Sequence, residues 1–548
     1  MIDCITEYNK WLQKADDKTK AELKNLSKDD IEDRFYRHLE FGTGGLRGVL
    51  GAGTNRMNAY IIARATKGLA DYIKENSDDI SEESVVIAYD SRNYSKEFAK
   101  KAANILSGCG IKTYLFDELR PTPELSFAIR YKKATAGIVI TASHNPAKYN
   151  GYKVYWSDGG QIPPNVAQSI FERIDKIDVF DVDIEPDDSL IEIIGEEVDD
   201  AYIENVYKQS VNPDVNKDNF KLVYTPLHGS GNKLVRRILD KSGFKNVLIV
   251  KEQELPDGNF STVASPNPEN KECFDIAISL AKANDVDLII GTDPDSDRMG
   301  IVVRNKKGEY VTMTGNQVGI LLLDYILSSG TLPERPAVVT TIVSTRMADI
   351  ICTHYGVKLF RTLTGFKFIG EKIYEFEKAN DYTFMFGFEE SYGYLKGTYA
   401  RDKDAVVASM LTAEMAAYYA QKNLSLYEVM ESLYAKFGGY YDELESITFE
   451  GIDGAQKIKE IMSHFRNDTP KKIGDYEIKE LIDYLGDTEL PKSDVLYFKL
   501  SNDVDFVVRP SGTEPKVKIY YMAKGKTYEE AKIESDCVKK AVNAIMNS

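Results

Sequence analysis

Short runs of β-branched and other apolar residues alternate along this chain with longer stretches of helical periodicity. Val85-Val86-Ile87-Ala88, Gly137-Ile138-Val139-Ile140, Lys221-Leu222-Val223-Tyr224, Asp287-Leu288-Ile289-Ile290 and Ala337-Val338-Val339-Thr340 read as buried strands. Lys96 to Leu106 and Phe274 to Ala283 carry apolar positions at helical spacing. The first 40 residues also read as helical and amphipathic, packed on the first domain. Strand–helix alternation over such a length predicts α/β domains built on largely parallel or mixed sheets. Polar stretches near 205–218, 304–316 and 437–445 are the expected joints.

Composition sharpens this picture. The 548 residues suggest three or four domains at roughly 150 residues each. With 43% hydrophobic residues the chain can bury several cores and is not disordered. It carries 69 Lys+Arg against 86 Asp+Glu, a net charge of −17. That balance argues against binding duplex nucleic acid, which needs a basic footprint. An anionic substrate must be met by a local cluster of Arg and Lys. Cys4, Cys109, Cys273, Cys352 and Cys537 are odd in number and widely separated, so neither a disulfide framework nor a zinc site is expected. Residues 1–20 lack a signal-peptide profile, and no apolar run has the roughly 20 residues of a membrane helix. A cytoplasmic protein without membrane contact is the expectation.

Ligands of such sheets bind at the C-terminal ends of strands, so the loops there carry the candidate chemistry. Thr141-Ala142-Ser143-His144-Asn145-Pro146 turns tightly after a strand and exposes the Ser143 hydroxyl beside His144. Ser143 could be a nucleophile or a covalent phosphate carrier, or the segment could be a turn satisfying its own backbone. Thr292-Asp293-Pro294-Asp295-Ser296-Asp297-Arg298 sets carboxylates at i, i+2 and i+4. They repel one another unless a cation holds them, and hard oxygen ligands suit Mg²⁺. An EF-hand is excluded because Arg298 and Arg304 stand at its obligatory Gly and Glu positions. A haloacid-dehalogenase-type Asp nucleophile and a solvated acidic turn remain alternatives.

Arg509-Pro510-Ser511-Gly512-Thr513-Glu514-Pro515-Lys516 offers a guanidinium fork, two hydroxyls and an approachable backbone, the donor set of a phosphate site. A plain hairpin would use similar residues. Gly387-Phe388-Glu389-Glu390-Ser391-Tyr392-Gly393 follows an apolar run, and its carboxylates and hydroxyl could bind vicinal sugar hydroxyls or cap a helix. Phe41-Gly42-Thr43-Gly44-Gly45-Leu46-Arg47-Gly48 is a glycine-rich turn that matches no nucleotide-binding fingerprint, although Arg47 could meet a phosphate. His228, in Thr225-Pro226-Leu227-His228-Gly229, reads as a buried structural histidine.

Together these loops resemble the α-D-phosphohexomutase family, in its phosphoglucomutase and phosphomannomutase members. Thr-Ala-Ser-His-Asn-Pro (141–146), Asp-Pro-Asp-Ser-Asp-Arg (293–298), Glu-Glu-Ser (389–391) and Arg-Pro-Ser-Gly-Thr-Glu-Pro (509–515) carry the resemblance in family order and spacing. It implies four domains around a central cleft, three related α/β mixed-sheet domains and a smaller C-terminal α+β one, here 1–205, 206–314, 315–440 and 441–548. It implies an isomerase interconverting glucose 1-phosphate and glucose 6-phosphate, with Mg²⁺ as cofactor and glucose 1,6-bisphosphate as activator. Ser143 would be the phosphoserine, and Asp293, Asp295 and Asp297 would hold Mg²⁺ with an oxygen on Ser143. His144, Lys153 and Arg298 complete the expected catalytic set. Arg47, Glu389, Ser391, Arg509, Ser511, Gly512 and Thr513 are the expected substrate-binding residues, with no protein partner required.

Some phosphomannomutase members carry His in the loop that reads Thr364-Gly365-Phe366-Lys367 here, and Gly-Glu-Met-Ser-Gly-His in the sugar loop. The Glu-Glu-Ser pattern of this chain is instead the glucose type, in a branch that includes phosphopentomutase-like enzymes. Mannose and pentose phosphates are therefore the alternative substrates. A sugar-phosphate binding protein and a Mg²⁺-dependent phosphatase are the alternatives outside the class.

Overall fold

The computed structural model describes residues 3–42, 44–449, 452–511 and 516–546. The chain forms two compact units, Met1–Val302 with Gly393–Ala417, and Val303–Tyr392 with Tyr418–Ser548.

In the first unit, strands Gly45–Val49, Tyr149–Trp156, Ala136–Ile140, Ser84–Tyr89, Lys112–Phe116 and Ile191–Ile194 lie side by side in that order. The last four are parallel, and Tyr149–Trp156 is antiparallel to both of its neighbours. Ala136–Ile140 and Ser84–Tyr89 are buried at every position, as parallel strands covered on both faces must be. The expected runs Val85–Ala88 and Gly137–Ile140 lie inside them. Helices Cys4–Lys14, Asp17–Leu23 and Lys28–Phe35 start at Asp3, Asp16 and Ser27, whose side chains accept first-turn N–H groups. Their Trp11, Leu23 and Phe35 are fully buried in the core that also holds Ile62 and Leu69. The amphipathic start of the chain is thus part of the first core.

A second sheet in this unit orders Met299–Arg304, Leu288–Thr292, Lys221–Thr225 and Asn246–Ile249, the last three parallel. Helix Thr122–Lys132 meets its loops: the Thr122 N–H donates to the Asp295 carbonyl at 2.9 Å. Behind that helix start lies a buried ionic cluster. Arg120 donates two hydrogen bonds to Asp199, at 2.7 and 3.2 Å, while Lys233 lies 3.0 Å from the same carboxylate. Glu124 is fully buried 3.8 Å from Arg120, and burial, then the Asp199 charge, pushes its carboxyl well above the usual carboxylate range.

Glu124 therefore keeps its proton in the folded chain at a pH where the unfolded chain has lost it. Folding then binds a proton, and stability contributed at acid pH is lost as pH rises from the unfolded carboxyl range, about 4.3. Glu124→Gln cannot ionise, so its thermal midpoint should gain on the wild type as pH rises above the unfolded carboxyl range of about 4.3. A midpoint difference that moves the other way with pH would show that Glu124 is ionised in the fold.

In the second unit, Lys358–Thr362, Pro336–Thr341 and Thr383–Glu389 form a parallel set. The C-terminal part is different. Gly439–Thr448, Lys516–Gly525, Val504–Pro510, Leu496–Leu500, Tyr476–Asp483 and Lys472–Ile473 are antiparallel neighbours in that order. Helices Ile452–Asn467 and Tyr528–Met546 pack on one face. That face buries Phe465 with Phe498 and Phe506, the last two stacked at 4.4 Å. The opposite face carries Tyr497, Val507 and Tyr520 against Ile342, Val343 and Leu363. Three α/β sheets and one antiparallel α+β sheet are the expected fold class.

Candidate active site

Ser143 stands three residues beyond the end of the buried strand Ala136–Ile140 and is itself 3% exposed. Its backbone is left-handed, φ 53°, a conformation that costs a non-glycine residue roughly 1–2 kcal/mol. Hydrogen bonds offset that cost. The Ser143 N–H donates to Thr141 Oγ1 at 2.7 Å, and Thr141 Oγ1 in turn donates to Asp90 at 2.6 Å. The Ser143 carbonyl accepts from the Arg92 guanidinium. This leaves the hydroxyl to donate to Asp293 Oδ2 at 2.7 Å, with His144 Nδ1 3.2 Å away. Burial and the nearby Arg298 and Arg47 hold the His144 imidazole well below its ordinary range.

Asp293, Asp295 and Asp297 follow the strand Leu288–Thr292 and are all within 1% of complete burial. One oxygen from each lies within 4.8 Å of the others. Their remaining contacts divide the six oxygens by role. Asp293 Oδ1 accepts the N–H groups of Asp297 (3.1 Å) and Arg298 (3.0 Å). Asp295 Oδ2 accepts from Thr122 Oγ1 at 3.0 Å and Lys153 Nζ at 3.2 Å. Asp297 Oδ2 lies 2.7 Å from Lys403 Nζ. Asp295 Oδ1 and Asp297 Oδ1 are buried and accept no hydrogen bond among the described residues. Buried carboxylate oxygens without partners are costly, and together with Asp293 Oδ2 they are the oxygen set that a hard divalent cation takes. The residues fit a metal ion. Burial, then Asp295 and Asp297, pushes the Asp293 carboxyl well above the usual range, whereas Asp295 is drawn far down despite its burial, chiefly by Lys153.

Around the carboxylates stand the cations. Lys153 Nζ also lies 3.9 Å from Asp297. Lys403 Nζ is 3.3 Å from Asp402, which accepts the Tyr155 hydroxyl at 2.6 Å. Arg298 is held by Glu269 at 2.6 Å. Arg47, an exposed residue of Gly45–Val49, pairs in register with Gly151, two residues before Lys153. His228 is structural, as expected: Nδ1 meets the Leu255 carbonyl at 3.0 Å and Nε2 meets Thr262 at 2.9 Å. Its neighbour Gly229 must be glycine, since a Cβ there would lie 2.5 Å from Pro294 Cα in the acidic loop.

The second unit gathers the expected sugar and phosphate residues. Gly387, Phe388 and Glu389 belong to the strand Thr383–Glu389, so the loop is shorter than its sequence suggests. Strand pairing extends to Phe388 opposite Thr340, which is why the apolar run carries the chain up to the carboxylate. Glu389 is 4% exposed, and Ser391 lies in the turn that follows. The Glu390 carboxyl, which accepts from Thr341 at 3.2 Å, is pushed up to about 7 by burial and then by Glu389. Arg509 is the last residue but one of the strand Val504–Pro510, opposite Lys518. Burial and the positive Arg509 lower Lys367. Tyr520 is raised by burial and then by Glu390, with Arg509 opposing. Ser511 anchors its turn by donating its N–H to the Lys516 carbonyl at 2.7 Å. Gly512 and Thr513 lie outside the described residues.

Residues 38–180, 200–308 and 314–437 match the phosphoglucomutase/phosphomannomutase alpha/beta/alpha domains I, II and III. The chain belongs to the phosphoglucomutase/phosphomannomutase family. A phosphoglucomutase of Staphylococcus epidermidis is 39% identical over 93% of this chain and 96% of its own. One of Staphylococcus aureus is 36% identical over 97% and 98%. Among solved structures, a phosphoglucomutase/phosphomannomutase family protein of Burkholderia thailandensis covers 92% of this chain and 97% of its own, at 19% identity and TM-score 0.67. The parafusin (phosphoglucomutase) of Paramecium covers 93% and 95%, at 17% identity and TM-score 0.69. These two share its fold.

For a phosphohexomutase, four residues escaped the sequence reading: Asp90 and Arg92 beside the Ser143 turn, and Thr122 and Lys403 beside the acidic loop. Asp90 and Arg92 follow a recognised strand and could have been found by the rule that led to Ser143. Lys403 belongs to Arg401-Asp402-Lys403-Asp404, four consecutive charges that are all at most 7% exposed. A charged run directly before the apolar helix Ala405–Ala420 was the available signal. Thr122 gave none. No helix among the described residues is long and apolar enough to cross a membrane.

Proposed function

We propose that this chain is a phosphoglucomutase that interconverts glucose 1-phosphate and glucose 6-phosphate through a phosphate carried on Ser143. The observation that carries the reading is the Ser143 hydroxyl, aimed from a strained turn at Asp293, one of three clustered aspartates of which the other two pair with Lys153 and Lys403. A carrier serine, a cation site and a sugar-phosphate donor set in one chain suit an internal transfer without nucleotide. A phosphatase would need no second set of donors in the other unit.

In the forward direction the bond between phosphorus and Ser143 Oγ breaks, and a bond to the sugar O6 forms. The proton of the sugar hydroxyl ends on the Ser143 oxygen that phosphorus leaves, and we assign Lys153 to mediate that transfer. The product is glucose 1,6-bisphosphate, which must turn over before its other phosphate returns to Ser143. Asp293, Asp295, Asp297 and the oxygen on Ser143 would hold Mg²⁺, which when bound supplies positive charge to the phosphate oxygens. Arg298 and Arg47 add charge at the same place, and His144 lines the hydroxyl. Glu389 and Ser391 would bind sugar hydroxyls. Arg509, Ser511, Gly512 and Thr513 would bind the phosphate that is not transferred. We take the domain joints to lie near 205, 314 and 440, and the enzyme to work in the cytoplasm.

The sugar is tested by kcat/KM for glucose 1-phosphate, mannose 1-phosphate and ribose 1-phosphate, with inorganic phosphate release followed in parallel. Glucose 1-phosphate should lead. A tenfold advantage for either other sugar would overturn the glucose assignment, and stoichiometric phosphate release would overturn the mutase. Removing the distal donor in Arg509→Ala should weaken binding by about 2–3 kcal/mol. It should also slow turnover, because remote binding energy orients the reacting end. Unchanged KM and kcat would place the phosphate elsewhere.

A further inference from the structure

Both backbone polar groups of Ser143 end on one buried ion pair. Its N–H reaches Asp90 through Thr141, and its carbonyl accepts directly from Arg92. Arg92 and Asp90 lie 3.3 Å apart with side chains fully buried. Asp90 also accepts the Arg92 N–H at 2.9 Å and the Ser95 hydroxyl at 2.7 Å. The guanidinium does more than pair with Asp90. It donates to the carbonyls of Ser143, Asn145, Pro146 (3.1 Å) and Tyr149 (3.0 Å), and it lies 5.0 Å over the Phe260 ring. Asn150, at the far end of the same turn, donates to the Asn93 carbonyl and to Ser95, both at 3.0 Å.

We propose that Arg92 is a positioning residue for phosphoryl transfer, its planar fork gathering the carbonyls of residues 143–149 so that Ser143 is kept left-handed with its hydroxyl on Asp293. The proposal rests on Ser143 being the carrier. No other side chain could replace it here, because four carbonyls converging on one point need several donors in a fixed plane, whereas a lysine offers three on a flexible stem. Asp90 keeps the guanidinium buried and charged while supporting the N–H side of Ser143 through Thr141. The ion pair thus fixes the turn from both sides and touches none of the three aspartates that would hold the cation.

Arg92→Lys keeps the charge and loses the fork, so kcat should fall by ~100-fold, the cost of a misplacement of about 1 Å at a reacting group. The KM for glucose 1-phosphate should stay within about twofold, since the sugar donors are untouched. The rate at which glucose 1,6-bisphosphate phosphorylates Ser143, read by intact mass, should fall in step with kcat. Guanidinium ion at millimolar concentration should restore Arg92→Ala by at least ~10-fold, which a merely structural defect would not show. If the Arg92 variants do not fold, Thr141→Val cuts only the N–H side and should lose ~10-fold in kcat with KM kept. Wild-type kcat in Arg92→Lys, or in Thr141→Val where that is the folded variant, would overturn the proposal, as would a loss expressed in KM alone. Failure of the carrier reading is seen separately, as turnover surviving in Ser143→Ala, and it would remove this proposal with it.

Discussion

Replacing Ser143 with Ala is expected to lower turnover of glucose 1-phosphate by at least ~10³-fold, because the covalent step has no substitute group. The hydroxyl of Thr141, two residues away, donates to Asp90 and accepts the Ser143 N–H, so it is committed to holding the turn. The fold should survive. Both backbone contacts of residue 143 remain, and only the hydroxyl contacts with Asp293 and His144 are lost. Peptide mapping of the purified wild type should find phosphate on Ser143 and nowhere else in residues 141–150. Turnover in Ser143→Ala within tenfold of the wild type would end the carrier role, whatever the state of phosphorylation.

Chelation should abolish turnover, and Mg²⁺ should restore it. The physical reason is charge. Asp293, Asp295 and Asp297 are buried together, and the cations within 4 Å of their oxygens among the described residues are Lys153, Lys403 and, at 3.9 Å, Arg298, which Glu269 already neutralises. Two buried carboxylate oxygens accept no hydrogen bond among the described residues, and in a low-dielectric site such groups demand a cation. Activity need not be the only readout. A ligand at a hundredfold its Kd stabilises the folded chain by about 2.7 kcal/mol, so Mg²⁺ should raise the unfolding temperature of the apoprotein. Asp295→Asn, which weakens the oxygen set without emptying it, should reduce that rise. Full activity after prolonged dialysis against excess EDTA would count decisively against the site.

Much of the fold was legible because its information is local. The runs at 85–88, 137–140, 221–224 and 337–340 are β-branched and apolar, and each lies inside an observed strand. Three aspartates spaced i, i+2 and i+4 must crowd one turn in any fold, so their demand for a cation could be read without coordinates. Glu389 shows the limit of such reading. Whether an apolar run ends before or after a carboxylate depends on how far its partner strand extends, and here pairing with Pro336–Thr341 carries the strand up to Glu389.

What tertiary structure alone decided is which distant residues meet. Ser84–Tyr89 and Ala136–Ile140 are neighbouring parallel strands although Lys112–Phe116 lies between them in sequence. Their C-terminal loops therefore leave the sheet at one edge, and that places Arg92 under the carbonyls of the Ser143 turn. Ser143 meets Asp293 across 150 positions, and Lys403 meets Asp297 because Gly393–Ala417 clusters with the first unit rather than with its sequence neighbours. Periodicity and motif spacing carry information over one or two turns of chain. For Asp295 and Asp297, the choice of which oxygen is bound by protein and which is left for a cation is made by Thr122, Lys153 and Lys403, residues that only the order of strands brings to the same point.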